Sequence, residues 1–167
     1  MSDLPSMWRT ELWHPFVVHI PIALLLFASI IYLLQATPWG KKQGLALVFS
    51  GRLLLFPGVV FSWVAVYTGN LADTEVARSL CDPTVAERHE QMALASSILY
   101  TIIAGVELVM IYIRQLHHFK RYVAFLVAAL ALAGSITMAY TGHLGARLVY
   151  QQGAAVHQPS EDCEEFE

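Results

Sequence analysis

Charged residues are scarce in this chain. Lys, Arg, Asp and Glu make up 14% of its 167 residues, whereas 56% are hydrophobic, and the mean hydropathy is +0.53. Soluble domains carry about 25% charged residues. The composition therefore excludes an ordinary soluble domain and indicates a membrane protein.

Cysteine is also scarce, since the chain has two cysteines, Cys81 and Cys163. They do not form a Cys-x-x-Cys motif, which excludes a redox dithiol and also haem attached covalently through Cys-x-x-Cys-His. Both are expected on the outer side of the membrane, where a disulfide could persist. A disulfide and two independent thiols remain equally open.

Four apolar stretches occupy most of the chain, roughly residues 15–34, 45–66, 92–113 and 122–140. Each is close to the roughly 20 residues with which an α-helix crosses a hydrocarbon core about 30 Å thick. The sequence therefore predicts an all-α, four-helix transmembrane bundle as one domain over residues 1–156. The expected helices cover about residues 15–36, 45–69, 83–114 and 121–146, and residues 157–167 form an acidic tail.

The distribution of cations predicts the orientation of the bundle. The N-terminus lacks a positively charged cluster and a small-residue cleavage site, so the first stretch is expected to be retained and both ends to lie on one side. The two short connections carry five cationic residues: Lys41, Lys42, Arg114, Lys120 and Arg121. By the positive-inside rule these connections are cytoplasmic, and both termini face the periplasm or cell exterior.

Four histidines fall at the outer ends of the predicted helices. His14 and His19 stand at the entrance to the first stretch, His89 at the entrance to the third and His143 at the exit of the fourth. Ionisable residues at membrane depth are costly and commonly mark a site. The four imidazoles are therefore the candidate functional site.

A short repeat suggests how these histidines are arranged. The second helix ends with Tyr-Thr-Gly-Asn-Leu-Ala (67–72) and the fourth with Tyr-Thr-Gly-His-Leu-Gly (140–145). This similarity favours a tandem duplication of one helical hairpin about a pseudo-two-fold axis along the membrane normal, although chance similarity is the alternative. The duplication would place the first and third helices diagonally, with their histidines facing each other.

The repeat does not decide which histidine of the first helix faces His89. The distance to the repeated tyrosine is similar for His14 and His19. We favour His19, because His14 precedes Pro15 and is typical of the residue just before a helix whose first position is proline.

Side chains along the second and third helices fall into two further patterns. His89, Ala93, Ser96, Tyr100 and Glu107 share one helical face. The second helix carries a stripe of mostly small residues, which would allow close helix approach or leave room for a flat macrocycle: Gly51, Leu55, Gly58, Ser62, Ala65 and Gly69.

Two charges fall inside the predicted membrane region. Arg52 and Glu107 lie at matching depths, so an ion pair between the second and third helices is the simplest interpretation. A proton-relay carboxylate is the functional alternative.

Two imidazoles that face each other across a four-helix bundle can bind haem iron from both sides. This six-coordinate arrangement suits electron transfer, because no position stays open for a substrate. The residues predict b-type haem with His19 and His89 as axial ligands. His14 and His143 would lie at the rim, and Arg147 could pair with a haem propionate.

Two alternatives remain open. The same four histidines could bind copper or zinc, and zinc would use about four ligands in tetrahedral geometry. The histidines could instead form hydrogen bonds to neighbours in a cofactor-free subunit that supports or assembles a larger membrane complex.

Two segments resemble a known family. The run from His14 to Leu24, which opens His-Pro-x-x-Val-His, and the run from Gly142 to Tyr150, which opens Gly-His-Leu-Gly, resemble the opening and closing motifs of bacterial four-helix inner-membrane proteins catalogued as a domain of unknown function. Some relatives in that family are fused to Rieske or cytochrome c domains. The resemblance implies a place in inner-membrane electron transfer. We therefore expect an electron-transfer subunit rather than a stand-alone enzyme, with partner redox subunits or a periplasmic cytochrome. No nucleic-acid partner is expected. The family pattern often continues with His-Gly, whereas this chain has Gln152 and Gly153 there.

Overall fold

The computed structural model describes residue 6 and residues 8–156, apart from the side chains of Lys41, Arg114, Leu116 and His117. Over this part of the chain the secondary structure is helical and contains no strand. The α-helices are α1 (Trp13–Val17), α2 (His19–Ala36), α3 (Pro38–Gln43), α4 (Leu45–Val76), α5 (Thr84–Tyr112) and α6 (Lys120–Gln152). The expected acidic tail and Cys163 lie outside the described residues.

The first long helical segment is interrupted near its beginning. A 3-10 helix, Thr10–Leu12, leads directly into α1, and α2 begins after a break at Val18. Pro21 has no N–H to donate to the carbonyl oxygen of Val17, so regular α-helical hydrogen bonding is lost at this point.

The position of Pro15 corrects one expectation. The helix was expected to begin at Pro15, but α1 begins at Trp13. Proline is tolerated here because N–H groups in the first helical turn have no partner within the helix. His14 therefore lies inside the first turn of a helix rather than ahead of it.

Short connections close the bundle at the end opposite to His14 and His89. In the first, Thr37 caps α3 because its Oγ1 accepts a hydrogen bond of 3.1 Å from the N–H of Gly40. Gly44 then links α3 to α4 with a φ of 53°, a backbone conformation that favours glycine. The second connection is a 3-10 helix, Arg114–Phe119. We call this the short-loop end, and the end that holds His14 and His89 the histidine end.

The long helices pack as two hairpins. α2 packs against α4 and α6, and α5 packs against the same two helices, so α2 and α5 stand diagonally across the bundle, as the sequence predicted. Close approach depends on small residues: a Cβ at Gly58 would lie 2.6 Å from a methyl of Leu25. The central cluster is formed by Leu25, Ala28, Tyr32, Leu55, Tyr100, Ile103, Ala104, Val127 and Ala131.

Four helical segments of the described chain are long and apolar enough to cross a membrane. They are Thr10–Ala36, Leu45–Ser79, Thr84–Tyr112 and Lys120–Gln152. The prediction of an all-α, four-helix bundle of membrane type is therefore confirmed. The hairpin duplication and its pseudo-two-fold axis stay predictions.

Two helices are longer than the hydropathy indicated. α4 and α6 continue about two turns past their expected ends near residues 69 and 146, to Val76 and Gln152. Hydropathy marks the apolar part of a helix, and polar residues can continue the helix beyond it. The added turns extend the walls of the bundle at the histidine end.

Candidate functional site

Two histidines meet inside the histidine end of the bundle. The ring centroids of His14 and His89 lie 6.0 Å apart, and their planes are nearly perpendicular, at 88°. Both side chains are partly buried, whereas His19 is exposed at the start of α2. The expectation that His19 faces His89 is therefore corrected, because helix formation from Trp13 turns His14 into the bundle instead.

Each imidazole is held by a backbone carbonyl on the second helix of its own hairpin. Nδ1 of His14 lies 2.9 Å from the carbonyl oxygen of Ala65, and Nδ1 of His89 lies 3.0 Å from that of Thr141. A carbonyl can only accept, so each Nδ1 carries the hydrogen in a neutral ring. Each Nε2 then keeps its lone pair. Imidazoles that bind metals are oriented in this way, with the other ring nitrogen donating to a carbonyl or carboxylate.

A glycine one turn beyond each carbonyl makes room for the ring. A Cβ at Gly69 would lie 3.1 Å from Cε1 of His14, and a Cβ at Gly145 would lie 3.2 Å from Cε1 of His89. Both distances are tighter than ordinary contacts, so an added methyl group would press on the imidazole. The two histidines therefore occupy similar notches on two different helices.

These notches do not follow the sequence repeat exactly. Gly69 belongs to the first Tyr-Thr-Gly, but its counterpart in the second repeat, Gly142, is exposed and has no neighbour near its Cβ position. Gly145 takes the place of Gly69 instead. The two sequence separations from histidine to carbonyl, 51 and 52 residues, are nearly equal, but the sequence does not mark which carbonyls accept, so this spacing could not have identified His14.

A cavity of about 400 Å³ opens beside the two rings. This volume lies within the range of small-molecule sites. Small side chains and glycines from three of the helices give the cavity its room, namely Ser62, Ala65, Gly69, Ala93, Ser96 and Gly145. The predicted stripe on α4 thus serves two purposes, close packing near Gly58 and space beside His14 near Gly69.

The remaining predicted site residues lie apart from this pair. His143 is exposed and stacks on Tyr140, with ring centroids 6.4 Å apart. Nε of Arg147 donates to Gln151 over 3.0 Å. Within the described residues, no group of three or more His, Cys, Asp or Glu is placed to bind a metal ion. Of the four predicted histidines, His14 and His89 come together, whereas His19 and His143 lie apart from them.

The beginning of α5 is anchored to the end of α6. The N–H of Asp82 donates to Gln152 over 3.1 Å, and Oδ1 of Asp82 accepts hydrogen bonds from the hydroxyl and the N–H of Thr84. The bonds from Thr84 stabilise the carboxylate and lower the pKa of Asp82 from its ordinary value. These contacts fix the helix that carries His89.

The predicted ion pair inside the bundle is confirmed. Nε of Arg52 on α4 donates to Oε2 of Glu107 on α5 over 2.7 Å. Glu107 is 7% exposed. Tyr32 on α2 is buried in the core near this pair.

The fold and the site together define a class of protein, a four-helix membrane-type bundle with a pair of inward-facing histidines at one end. The chain belongs to the family DUF2231, which is described as a predicted membrane protein, and the family model matches residues 12–158. Comparison with curated proteins and with solved structures gives no significant match.

Proposed function

We propose that this protein binds b-type haem at the histidine end and carries electrons as a subunit of a membrane redox complex. His14 and His89 would be the axial ligands, in place of the pair His19 and His89 expected from the sequence. The observation that carries the proposal is the meeting of two inward-facing imidazoles, each with Nδ1 bonded to a carbonyl and Nε2 left available.

The separation of the two rings fits two ligands of one metal ion. A ring nitrogen lies about 1.1 Å from the centroid of a five-membered ring with bonds of about 1.33 Å, and about 2 Å from a bound first-row metal. Imidazoles on opposite sides of one ion would therefore have centroids about 6.3 Å apart. The observed distance is 6.0 Å.

The number of ligands favours haem over a protein-bound zinc ion. Structural zinc takes four protein ligands and catalytic zinc takes three, whereas the described residues supply two histidines here. Six-coordinate haem would take two ligands from the protein, since the macrocycle supplies the other four. When bound through two imidazoles, it supplies one-electron transfer with no open coordination position.

The surroundings of the pair are consistent with a site for an apolar, flat group. The cavity beside the rings is lined mainly by apolar surface and small side chains. Removal of water by such a lining would also tune the redox potential. Electron exchange would take place with a periplasmic cytochrome or with partner subunits, because the positive-inside rule puts the histidine end outside.

The test is the visible spectrum of the protein purified from membranes of cells supplied with haem. We expect low-spin absorption bands that sharpen on reduction with dithionite. His14→Ala and His89→Ala should each abolish these bands, because each removes one of two axial bonds. His19→Ala and His143→Ala are matched controls, since both side chains are exposed and lie outside the pair.

Several outcomes would overturn the proposal. They are a folded protein without haem, bands that survive in both the His14→Ala and His89→Ala variants, or copper or zinc in stoichiometric amount instead of iron. A stable, colourless protein that copurifies with other membrane subunits would favour the cofactor-free structural alternative.

A further inference from the structure

Buried and partly buried hydroxyl groups form two clusters along the middle of the bundle. Oγ of Ser96 donates to Oγ1 of Thr137 over 2.8 Å. One turn deeper, the hydroxyl of Tyr100 lies 2.9 Å from Oγ of Ser29 and 3.3 Å from Oγ of Ser135. These contacts join α2, α5 and α6.

These hydroxyl groups lie along a line whose two ends approach the histidine pair and the Arg52–Glu107 ion pair. Ser96 lines the cavity beside His14 and His89. At the other end, Tyr32 lies one turn beyond Ser29 on α2 and is within electrostatic reach of Arg52 and Glu107. The stretch from His89 to Glu107 is about 27 Å long at about 1.5 Å per residue, close to the thickness of a hydrocarbon core of about 30 Å.

The hydroxyl of Tyr32 is a further polar group between Ser29 and the Arg52–Glu107 ion pair. Tyr32 is 2% exposed, and its oxygen has no hydrogen-bond partner among the described residues. Buried hydroxyl groups are normally paired, with water where no protein group is near. A water molecule at this oxygen would join the Ser29 hydroxyl region to the ion pair.

Simple helix adhesion explains these groups less completely. Hydroxyl pairs between membrane helices are a common form of adhesion, and the bonds of Ser29 and Ser135 to carbonyls in their own helices fit that role. Adhesion alone would not require a line of polar groups that runs from the cavity beside the histidine pair to a charged pair near the opposite end.

We propose that this line is a proton path between the short-loop end and the histidine pair. Each hydroxyl accepts a proton on one side and releases another from its own O–H on the other, so no group gains or loses a net proton over one transfer. Ser96 and Tyr100 on α5, like Ser29 and Tyr32 on α2, lie about one helical turn, about 5.4 Å, apart along their helices, and bridging water would complete the path between these groups. The cavity connects Ser96 to the histidine pair. Glu107 would exchange protons at the short-loop end, where the charge of Arg52 opposes a proton and keeps the flux slow.

This inference is independent of the haem proposal, and its test uses no haem signal. The full-length protein is reconstituted into vesicles that contain a pH-sensitive dye, and a potassium gradient with valinomycin imposes a membrane potential. We expect the wild-type protein to move protons faster than protein-free vesicles. Tyr100→Phe keeps the ring that packs on Gly134 but removes the hydroxyl, and should lower the rate about tenfold, the factor for a barrier about 1.4 kcal/mol higher.

Thr101→Val is the matched control. It removes a hydroxyl from the next residue of α5, but that side chain is exposed and bonds to Trp63 outside the line. Ser29→Ala is the second variant of the line, and it tests the path if Tyr100→Phe proves poorly folded by melting. Flux in Thr101→Val should equal that of the wild type. A wild-type rate equal to that of protein-free vesicles, or unchanged flux in both line variants, would refute the path.

Discussion

Single glycines decide where the two imidazoles can lie. Gly69 and Gly145 face the rings of His14 and His89, whereas Gly142 faces open space although it lies in the repeated motif. All three are in helices, where glycine costs roughly 0.5–1 kcal/mol relative to alanine. The contrast between the three positions therefore separates helix propensity from contact with a histidine.

Alanine substitutions at these three glycines should change the melting temperature in opposite directions. Gly142→Ala should raise the melting temperature in detergent, because its methyl group meets nothing within 4 Å and it regains about 0.5–1 kcal/mol of helix propensity. Gly69→Ala and Gly145→Ala should leave the melting temperature unchanged or lower it, because each methyl would lie 3.1–3.2 Å from an imidazole carbon. That close contact would offset the gain in helix propensity. Equal stabilisation in all three variants would contradict the role assigned to the notches.

Residue patterns predicted one of the two histidines and missed the other. His89 follows from helical spacing, since Ser96, Tyr100 and Glu107 on the same face are all buried. His14 could not be chosen over His19, because the choice depends on where the first helix begins and on the break at Val18. Both are set by proline positions together with packing against α4, and sequence spacing alone does not encode that packing.

At the scale of helices, hydropathy predicted the number and order of the elements. It could not predict that α4 and α6 extend to Val76 and Gln152, because the outermost turns are polar. The positions of the charges did predict the pairing of α4 with α5 through Arg52 and Glu107, since two charges at equal depth in a membrane have few other partners.

This ion pair gives a prediction about helix packing. Arg52→Ala or Glu107→Ala should each destabilise the protein in detergent by up to roughly 3 kcal/mol, because each leaves one charge unpaired in a low-dielectric region. The loss should be larger for Arg52→Ala, since the remaining Glu107 side chain is 9% exposed, whereas that of Arg52 is 29% exposed. The double variant should be more stable than either single variant. Identical melting curves for all three would show that the pair does not hold α4 and α5 together.

At the scale of the whole molecule, the proposed electron exchange with a periplasmic partner requires the histidine end to face outward. The short-loop end carries the cationic residues of the two short connections, and the positive-inside rule predicts that these connections are cytoplasmic. Two exposed positions can report the orientation from opposite ends of the bundle. Cys81 lies at the histidine end, in the connection between α4 and α5, and Gln43 lies at the end of α3.

Labelling of these positions in intact cells tests the orientation. With Cys163 replaced by serine, Cys81 should react readily with a membrane-impermeant maleimide. In a chain with both native cysteines replaced, Gln43→Cys should react only after the membrane is permeabilised, because five cationic residues near the short-loop end oppose its transfer across the membrane. The native Cys81 is thus the matched control for accessibility of the reagent. Ready labelling of Gln43→Cys together with protection of Cys81 would show that the bundle has the opposite orientation. The histidine pair and any electron partner would then lie on the cytoplasmic side.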